Sequence, residues 1–251
     1  MKKIGIVFVG FIIFLVVTCL VTIPFMPTKI AVLTYHDFTN GEPENSMQIN
    51  KDTFEEEMKY LSDHHYKTLK LEDIECFMDK SCTLPKKSVL ITIDDGWKSE
   101  LEIAAPILKK YHLNATIFYI GENYDGHNEN FINLEDIQLI KEEYPNIEIA
   151  NHSFSLHFED AYLLEKDQLL EDMNIMKEIH DSKYYAYPYG RYSDQYIEAL
   201  KEAGYSLAFG FGPDENHRKL TQEDNTYALP RLNISNGMPM WKFILRLHWY
   251  K

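Results

Sequence analysis

"SVLITIDDGW", residues 88–97, is an apolar run that ends in two aspartates, a glycine and a tryptophan. Its length and its β-branched residues are typical of a buried strand. Asp-Asp-Gly after such a strand has two interpretations. It is common turn chemistry, or both carboxylates are needed at this point for function. The stretch alone leaves both interpretations open.

Strand-like and helix-like segments alternate along the rest of the chain. The segment 29–38, "KIAVLTYHDF", is strand-like, and 52–64, "DTFEEEMKYLSDH", is helical, with Thr53 and Glu56 placed as a capping box. About seven such units follow one another, and near-continuous apolar strands separated by helices indicate a parallel sheet covered by helices. The sequence therefore predicts an α/β fold, a distorted or incomplete (β/α) barrel of about seven strands.

Polar residues gather where the predicted strands end. Tyr35-His36-Asp37, Asp94-Asp95-Gly96, Asn151-His152-Ser153 and 187–190, "YPYG", each close an apolar run. In α/β barrels the carboxyl ends of the strands carry the chemistry. This shared position favours a functional interpretation of the tandem aspartates.

These strand ends contain the parts of a hydrolytic metal site. His152, His157 and Asp95 can supply two imidazoles and a carboxylate to one divalent ion, with positions left open for water and substrate. Asp94 would then remain free as the base that deprotonates a water molecule, and His36 is a candidate acid for the leaving group. Such a set fits hydrolysis of an amide or an ester. A simple turn and a chance pair of histidines remain the alternatives.

The first 28 residues differ from the rest in composition. Lys2 and Lys3 precede a run from Ile4 to Thr28 that has no charge. Because about 20 apolar residues span a bilayer, the run predicts a transmembrane signal anchor and short linker over 1–28. The domain 29–251 would then lie outside the cytoplasm on a single-pass membrane protein. A cleaved signal peptide, or lipidation at Cys19, is the alternative.

Charge and cysteine content limit the partners and the cross-links. The formal net charge is −14, and Lys2 and Lys3 lie in the predicted anchor, so the outer domain is strongly acidic. This excludes nucleic acid as a natural partner, because phosphate backbones repel such a surface. Cys76 and Cys82 can form one local disulfide or remain as thiols, and the sequence does not decide between them.

Three motifs in chain order carry a resemblance to a known family. "ITIDDG" at 91–96, "NHSFSLH" at 151–157 and "YPYG" at 187–190 resemble the polysaccharide deacetylases of carbohydrate esterase family 4, which share the NodB-like domain. The resemblance covers roughly residues 29 to 235. It implies a distorted (β/α) barrel, a divalent metal that is usually zinc, and removal of acetyl from an N-acetylated sugar polymer.

The resemblance also implies roles for individual residues. Asp94 would be the general base, Asp95, His152 and His157 the metal ligands, and Tyr189 a residue that lines the site. A backbone amide near Tyr189 would help to stabilise the oxyanion of the tetrahedral intermediate.

The chain departs from the family pattern at several points. Its two histidines are five residues apart instead of four, Ala186 stands where the family has an arginine, and a late Leu-x-His motif has no good counterpart. These departures resemble the branch that deacetylates poly-β-1,6-N-acetylglucosamine, in which an early histidine acts as the acid. That likeness points to His36. Arg231 is then the candidate replacement for the missing arginine, in a bidentate contact that orients Asp94.

Other residues and partners follow from the same comparison. Asp37 would orient His36 or cap the following turn, and Trp97 would stack on a sugar ring or pack in the core. The expected substrate is a polymer of N-acetylglucosamine in a cell envelope or biofilm, with poly-β-1,6-N-acetylglucosamine favoured and peptidoglycan as an alternative. A catalytically silent glycan-binding barrel is a further alternative. A polysaccharide synthase in the membrane is a candidate partner.

Overall fold

The computed structural model describes residues 28–211 and 218–248, and they form a parallel sheet surrounded by helices. The strands are β1 Ala31–Tyr35, β2 Asp37–Thr39, β3 Gln48–Asn50, β4 Lys67–Thr68, β5 Ser88–Asp95, β6 Ala115–Tyr119, β7 Ile147–Asn151, β8 Tyr184–Ala186, β9 Leu207–Phe209 and β10 Leu232–Asn233. The helices are α1 Lys51–Asp63, α2 Leu71–Met78, α3 Ala105–Lys110, α4 Leu134–Glu143, α5 Lys166–Ile179, α6 Asp194–Glu202 and α7 Met240–His248.

The main sheet confirms the predicted barrel of about seven strands. Its strand order is β10-β1-β5-β6-β7-β8-β9, every pair is parallel, and β4 adds a short eighth strand beside the start of β5. The two ends of the sheet approach each other through the segment before β10, because Leu229 forms a parallel bridge with Phe209 of β9. The barrel is thus closed by a single bridge at this point, which fits the expectation of an incomplete barrel.

The strands are apolar on both faces because both faces are covered. Ser88 to Asp94 of β5 are all buried, as are all five residues of β1 and of β6. One face packs on side chains from α1, α3 and α4, and the other packs on α2 and on Leu220 and Leu229. This double burial explains why the sequence shows continuous apolar runs instead of alternation.

One local prediction differs from the structure. Helix α1 begins at Lys51 with Asn50 as its N-cap, whose side chain accepts the backbone N–H of Asp52. The predicted capping box at Thr53 is therefore wrong, since Thr53 already lies inside the helix. The chain after β5 begins with a π-helical turn, Glu100–Ala104, that continues into α3.

Cys76 and Cys82 form a disulfide at the end of α2, so the first of the two alternatives for this pair is found. His248, the last histidine of the chain, ends α7, and its Nε2 contacts the hydroxyl of Tyr66. Residues 1–27, which contain the predicted anchor, lie outside the described residues. Within 28–211 and 218–248, no helix combines the length and the apolar character needed to cross a membrane.

Candidate metal centre and catalytic cleft

A cleft of about 1570 Å³ lies at the carboxyl ends of the strands. All the residues predicted for the site line it except Arg231, which is buried behind it. The lining members of that set are His36, Asp37, Asp94, Asp95, Trp97, His152, His157 and Tyr189. The position agrees with the strand-end argument made from the sequence, because parallel strands deliver their terminal residues to one edge.

Three of these side chains converge on one point. The Nε2 atoms of His152 and His157 lie 3.5 Å and 3.1 Å from Oδ1 of Asp95. One ligand atom from each residue lies within 4.8 Å of the others, and no second group of three such residues occurs in the described parts of the chain. Asp95 ends β5 and His152 follows β7, while His157 reaches the same point from the loop that follows.

The hydrogen bond made by His152 identifies the atom that faces Asp95. Its Nδ1 lies 2.8 Å from the carbonyl oxygen of Ala186. A carbonyl oxygen only accepts hydrogen bonds, so Nδ1 carries the proton and a neutral ring presents the lone pair of Nε2 to Asp95. Two electron-rich atoms then face each other at short distance. A cation between them removes that repulsion, and the donor set of two imidazoles and a carboxylate suits a divalent metal.

The electrostatics of the centre favour ionised Asp95. Burial alone would raise its pKa, but in the absence of a cation, rings of His152 and His157 that donate to Asp95 hold its pKa well below the ordinary value. For His157, burial would lower the pKa, yet the hydrogen bond with Asp95 and the charges of both aspartates raise it above its ordinary value. In the absence of an ion the centre therefore attracts a proton, and a divalent cation competes for the same position.

The backbone at the centre is held in sparsely populated conformations. Asp95, Ser153 and Tyr189 have φ angles of 87°, 76° and 56°, in the left-handed region that non-glycine residues seldom adopt. Each lies on one of the three motifs noted in the sequence. Such conformations persist only where the surrounding structure enforces them, and they concentrate at functional sites.

Asp94 and Arg231 form a buried ion pair. Nη1 of Arg231 donates to Oδ1 of Asp94 at 2.7 Å, and the two side chains are 0% and 1% exposed. Burial would raise the pKa of Asp94, but the Arg231 charge, with the neighbouring histidines, lowers it below its ordinary value. The predicted contact is therefore present, but the predicted bidentate geometry is wrong: the guanidinium packs on Phe211, 4.1 Å from its ring centre, and only Nη1 reaches the carboxylate.

His36 lines the cleft directly after the end of β1. Its Nδ1 is buried and has no hydrogen-bond partner in the described chain, and its ring packs on Phe211. Burial lowers the pKa of His36, partly offset by the charges of Asp94 and Asp95. Asp37 does not orient His36: its carboxylate accepts bonds from Ser99 and the side chain of Gln48. Asp37 also accepts the backbone N–H of Phe38, but both residues lie in β2, so the predicted cap of a following turn is not found either.

Two predicted aromatic residues form the walls of the cleft. Trp97 stacks on Phe131 with ring centres 4.3 Å apart, and its Nε1 lies 3.2 Å from Oδ2 of Asp95. Tyr189 stacks on His157 with ring centres 4.9 Å apart and remains 52% exposed. Both therefore contact metal-ligand candidates and present ring surface near the cleft.

Sequence reasoning missed three residues that shape the site. Phe211 packs on both His36 and Arg231, and it lies so close to Gly190 that an added Cβ there would come within 2.3 Å of it. Glu100 and Asp172 are buried carboxylates that bond to the backbone beside the ligands. Asp172 had a detectable signal, because it occupies an apolar-face position of α5, three residues after Leu169 and one before Met173. Phe211 and Glu100 carried no comparable local signal.

Comparison with known sequences agrees with this site. A family model described as polysaccharide deacetylase matches residues 81–208, which include the tandem aspartates and both histidines. The YxkH protein of Bacillus subtilis (strain 168), which is named among polysaccharide deacetylases, is 32% identical over 218 residues, covering 84% of this chain and 74% of that protein. The poly-beta-1,6-N-acetyl-D-glucosamine N-deacetylase of Staphylococcus aureus is 32% identical over 217 residues, covering 79% of this chain and 72% of that protein.

Solved structures share the fold. The deacetylase PplD of Streptococcus pyogenes, in complex with acetate, superposes with a TM-score of 0.78 at 22% identity, covering 89% of this chain and 100% of that one. IcaB from Ammonifex degensii superposes with a TM-score of 0.72 at 22% identity, covering 88% of this chain and 97% of that one. At these identities the likeness concerns the arrangement of the chain alone.

Proposed function

The chain belongs to the polysaccharide deacetylase family, hydrolases that act on amide C–N bonds, and we propose that it removes acetyl groups from a polymer of N-acetylglucosamine in a metal-dependent reaction. The observation that carries the proposal is the convergence of Asp95, His152 and His157 directly beside the buried Asp94. This is the arrangement that hydrolysis of an acetamide requires, with cation ligands and a carboxylate base in one cleft.

Asp95, His152 and His157 would hold a divalent metal, for which Zn²⁺ is the best match to two imidazoles and one carboxylate. When bound, such an ion supplies Lewis acidity, polarising the acetamide carbonyl and acidifying water. The hydrogen bond from His152 to the Ala186 carbonyl fixes the ring so that Nε2 points at the ion position. Trp97 and Tyr189 restrict the space around it.

Asp94 acts as the base in this proposal. Its carboxylate takes a proton from the water that attacks the acetyl carbon, and Arg231 keeps it ionised and oriented through the 2.7 Å contact. His36 delivers a proton to the sugar nitrogen as the C–N bond breaks, which releases acetate and a free amine. Because burial lowers the pKa of His36, the neutral ring is favoured, and the proton that it donates is replaced by the one that Asp94 takes from water.

We favour poly-β-1,6-N-acetylglucosamine as the substrate. The Staphylococcus aureus relative bears that substrate in its name, and the five-residue histidine spacing, His36 and the Arg231 contact all match the branch expected from the sequence. The cleft of about 1570 Å³ is lined by the aromatic rings of Trp97 and Tyr189, which can receive sugar faces. Peptidoglycan is the second candidate polymer, because an anchored enzyme would face it.

We further propose that residues 1–28 anchor the protein in the cell membrane with the catalytic domain outside the cytoplasm. The support is the uncharged run from Ile4 to Thr28 behind Lys2 and Lys3. In that position the enzyme would meet a polymer as a membrane synthase exports it, which makes such a synthase a candidate partner.

Acetate release tests the function directly. The full chain is incubated with oligomers of poly-β-1,6-N-acetylglucosamine or with peptidoglycan, with Zn²⁺ or with a chelator, beside Asp94→Asn. We expect release that needs the metal and that falls at least about 100-fold in Asp94→Asn, the typical contribution of a positioned base. Asp224→Asn, which alters a partly buried carboxylate outside the cleft, serves as the control and should retain activity.

Acetate release from peptidoglycan and not from poly-β-1,6-N-acetylglucosamine would make peptidoglycan the substrate. If the protein binds one metal ion and releases acetate from neither polymer, it is a silent glycan-binding barrel. Equal activity of Asp94→Asn and the native protein would show that Asp94 is not the base.

A further inference from the structure

In each of the two chain segments that supply the candidate metal ligands, backbone N–H groups donate hydrogen bonds to a buried carboxylate. Glu100, in the π-helical turn after β5, is fully buried, and its Oε1 accepts the backbone N–H groups of Gly96 and Trp97 at 2.9 Å and 2.8 Å. These two groups follow directly after Asp95. Glu100 thus binds the turn that carries the carboxylate ligand, without itself lining the cleft.

Asp172 makes the equivalent contact on the histidine side. It projects from α5 and is 4% exposed. Its Oδ1 accepts the N–H of Phe154 at 2.9 Å and its Oδ2 accepts the N–H of Ser155 at 2.8 Å. Phe154 and Ser155 lie between His152 and His157, so Asp172 binds the middle of the loop that joins the two imidazole ligands.

Both segments need an acceptor because of their backbone conformation. Asp95 and Gly96 have φ angles of 87° and 79°, and Ser153 has a φ angle of 76°. Left-handed residues turn consecutive N–H groups to one side of the chain, and buried N–H groups without a partner are costly. The two carboxylates satisfy these groups. They also hold conformations that the chain would leave if it were free to relax.

We propose that Glu100 and Asp172 are a pair of positioning residues that hold the two ligand-bearing segments at the separation needed by the metal, and so set its affinity. The proposal rests on the metal site proposed above. It also accounts for the five-residue spacing of the histidines. In this proposal, the hydrogen bonds from Phe154 and Ser155 to Asp172 fix the loop so that His157 reaches the ion position.

The two contacts differ in a way that makes the proposal specific. Glu100 uses one oxygen for both N–H groups, and its Oε2 has no hydrogen-bond partner in the described chain. Glutamine at this position keeps the oxygen that accepts both N–H groups. Its NH₂ group takes the place of Oε2, which accepts no hydrogen bond. Asp172 uses both oxygens, one for each N–H group. Asparagine at that position keeps one acceptor and turns an NH₂ group towards the other N–H.

The test measures metal affinity in the full chain in detergent. Co²⁺ is titrated and followed by its visible absorption, and Zn²⁺ is titrated against a chromophoric chelator. We expect Glu100→Ala and Asp172→Asn to weaken binding by about 10–100-fold, the range found when groups that orient metal ligands are changed. Glu100→Gln should stay within about threefold of the native protein. The Co²⁺ spectrum of Asp172→Asn should also change, because the two imidazoles are no longer held in place.

Asp224→Asn is the matched control. Asp224 is a partly buried carboxylate that also accepts a backbone N–H, that of Thr221 at 2.7 Å, but it lies outside the cleft. Its substitution should lower the melting temperature of the metal-free protein and leave metal affinity unchanged. Melting temperatures of all metal-free variants identify any loss of folding, and Asp172→Asn and Glu100→Gln are conservative enough to fold.

Three results would overturn the inference. The first is native affinity in Glu100→Ala and Asp172→Asn, and the second is equal weakening by Asp224→Asn. The third is equal weakening by Glu100→Gln and Glu100→Ala, because it would make the charge and not the accepted bonds responsible. If the native protein itself binds no divalent metal, the metal site of the proposed function fails as well, so the two failures are distinguishable.

Discussion

Asp94 and Arg231 show how individual residues depend on one another in this site. Both are fully buried, they are 137 positions apart, and their contact is a single hydrogen bond in an apolar surrounding that includes Phe211. A buried charge that loses its partner keeps its desolvation cost and has no compensating attraction. The pair should therefore have a large effect on stability as well as on the proposed chemistry.

We predict that Arg231→Met lowers the free energy of unfolding by about 3–5 kcal/mol, because Asp94 is left charged and buried without a partner. In an Asp94→Asn background the same substitution should cost much less, since no charge remains to be compensated. Chemical denaturation of the native protein, both single variants and the double variant measures the coupling. An additive double variant would mean that the ion pair does not stabilise the fold.

At the residue scale the sequence identified the candidate ligands and the residues next to them, but not most of the cleft lining. The positions of Asp95, His152 and His157 at or soon after strand ends predict that they are ligands, and the structure brings their side chains together. Phe211 was not selected, because an aromatic residue after a strand looks the same whether it packs in the core or beside a site. Asp37 was placed beside His36 in sequence, but its carboxylate turns to Ser99 and Gln48.

At the scale of elements, the contact between β1 and α1 contains a buried carboxyl group. Oε2 of Glu57 on α1 accepts a hydrogen bond from the hydroxyl of Tyr35 at 2.8 Å. Burial raises the pKa of Glu57 to about 8, although the hydrogen bond from Tyr35 opposes this shift; the charge of Glu56 raises the pKa further and that of Arg246 lowers it. The group therefore packs one strand and one helix together in its protonated form.

This contact makes stability depend on pH. The folded protein binds the Glu57 proton more tightly than the unfolded chain does, because the folded pKa of about 8 exceeds the ordinary value of 4.5. The stabilisation is complete below pH 4.5 and is lost as the pH rises towards 8. The slope for one group is at most about 1.4 kcal/mol per pH unit.

We predict that Glu57→Gln removes this part of the slope, because glutamine accepts the Tyr35 hydroxyl and does not titrate in this range. Unfolding free energies measured by denaturant at several values between pH 5 and pH 8 give the comparison. Glu135→Gln, an exposed residue of α4 that does not act on Glu57, is the control and should keep the native slope. Parallel curves for the native protein and Glu57→Gln would contradict the prediction.

Elements as a whole were easier to predict than their ends. The alternation of strands and helices follows from local apolar patterns, and each predicted strand named in the sequence is present. Helix ends depend on single hydrogen bonds, which is why Asn50 and not the Thr53 box starts α1. The π-helical turn at Glu100 was not predictable from a local pattern. It goes together with hydrogen bonds in which Glu100 accepts backbone N–H groups of the turn that follows β5.

At the scale of the whole molecule, the N-terminal run is the part of the sequence with the strongest composition bias. We predict that the full chain stays with the membrane fraction after washing with high salt or carbonate, while a chain beginning at Thr28 is released. The reason is that the uncharged run from Ile4 to Thr28 is long enough to span a hydrocarbon core. Fractionation followed by immunoblotting checks this. Release of the full chain by carbonate would contradict the anchor.

The sequence by itself determined the α/β alternation, the strand-end positions of the polar motifs and the identity of the candidate ligands. Those features are local, because a short stretch of sequence is enough to show the period of the apolar residues and the residue that follows each strand. Only the tertiary structure decided that Arg231 meets Asp94 and that Asp172 supports the histidine loop. The first contact exists because β10 pairs with β1 and β1 with β5, which brings Arg231 within reach of Asp94. Such a contact depends on how the sheet closes, and closure results from many weak packing contacts across the whole chain that no short stretch contains.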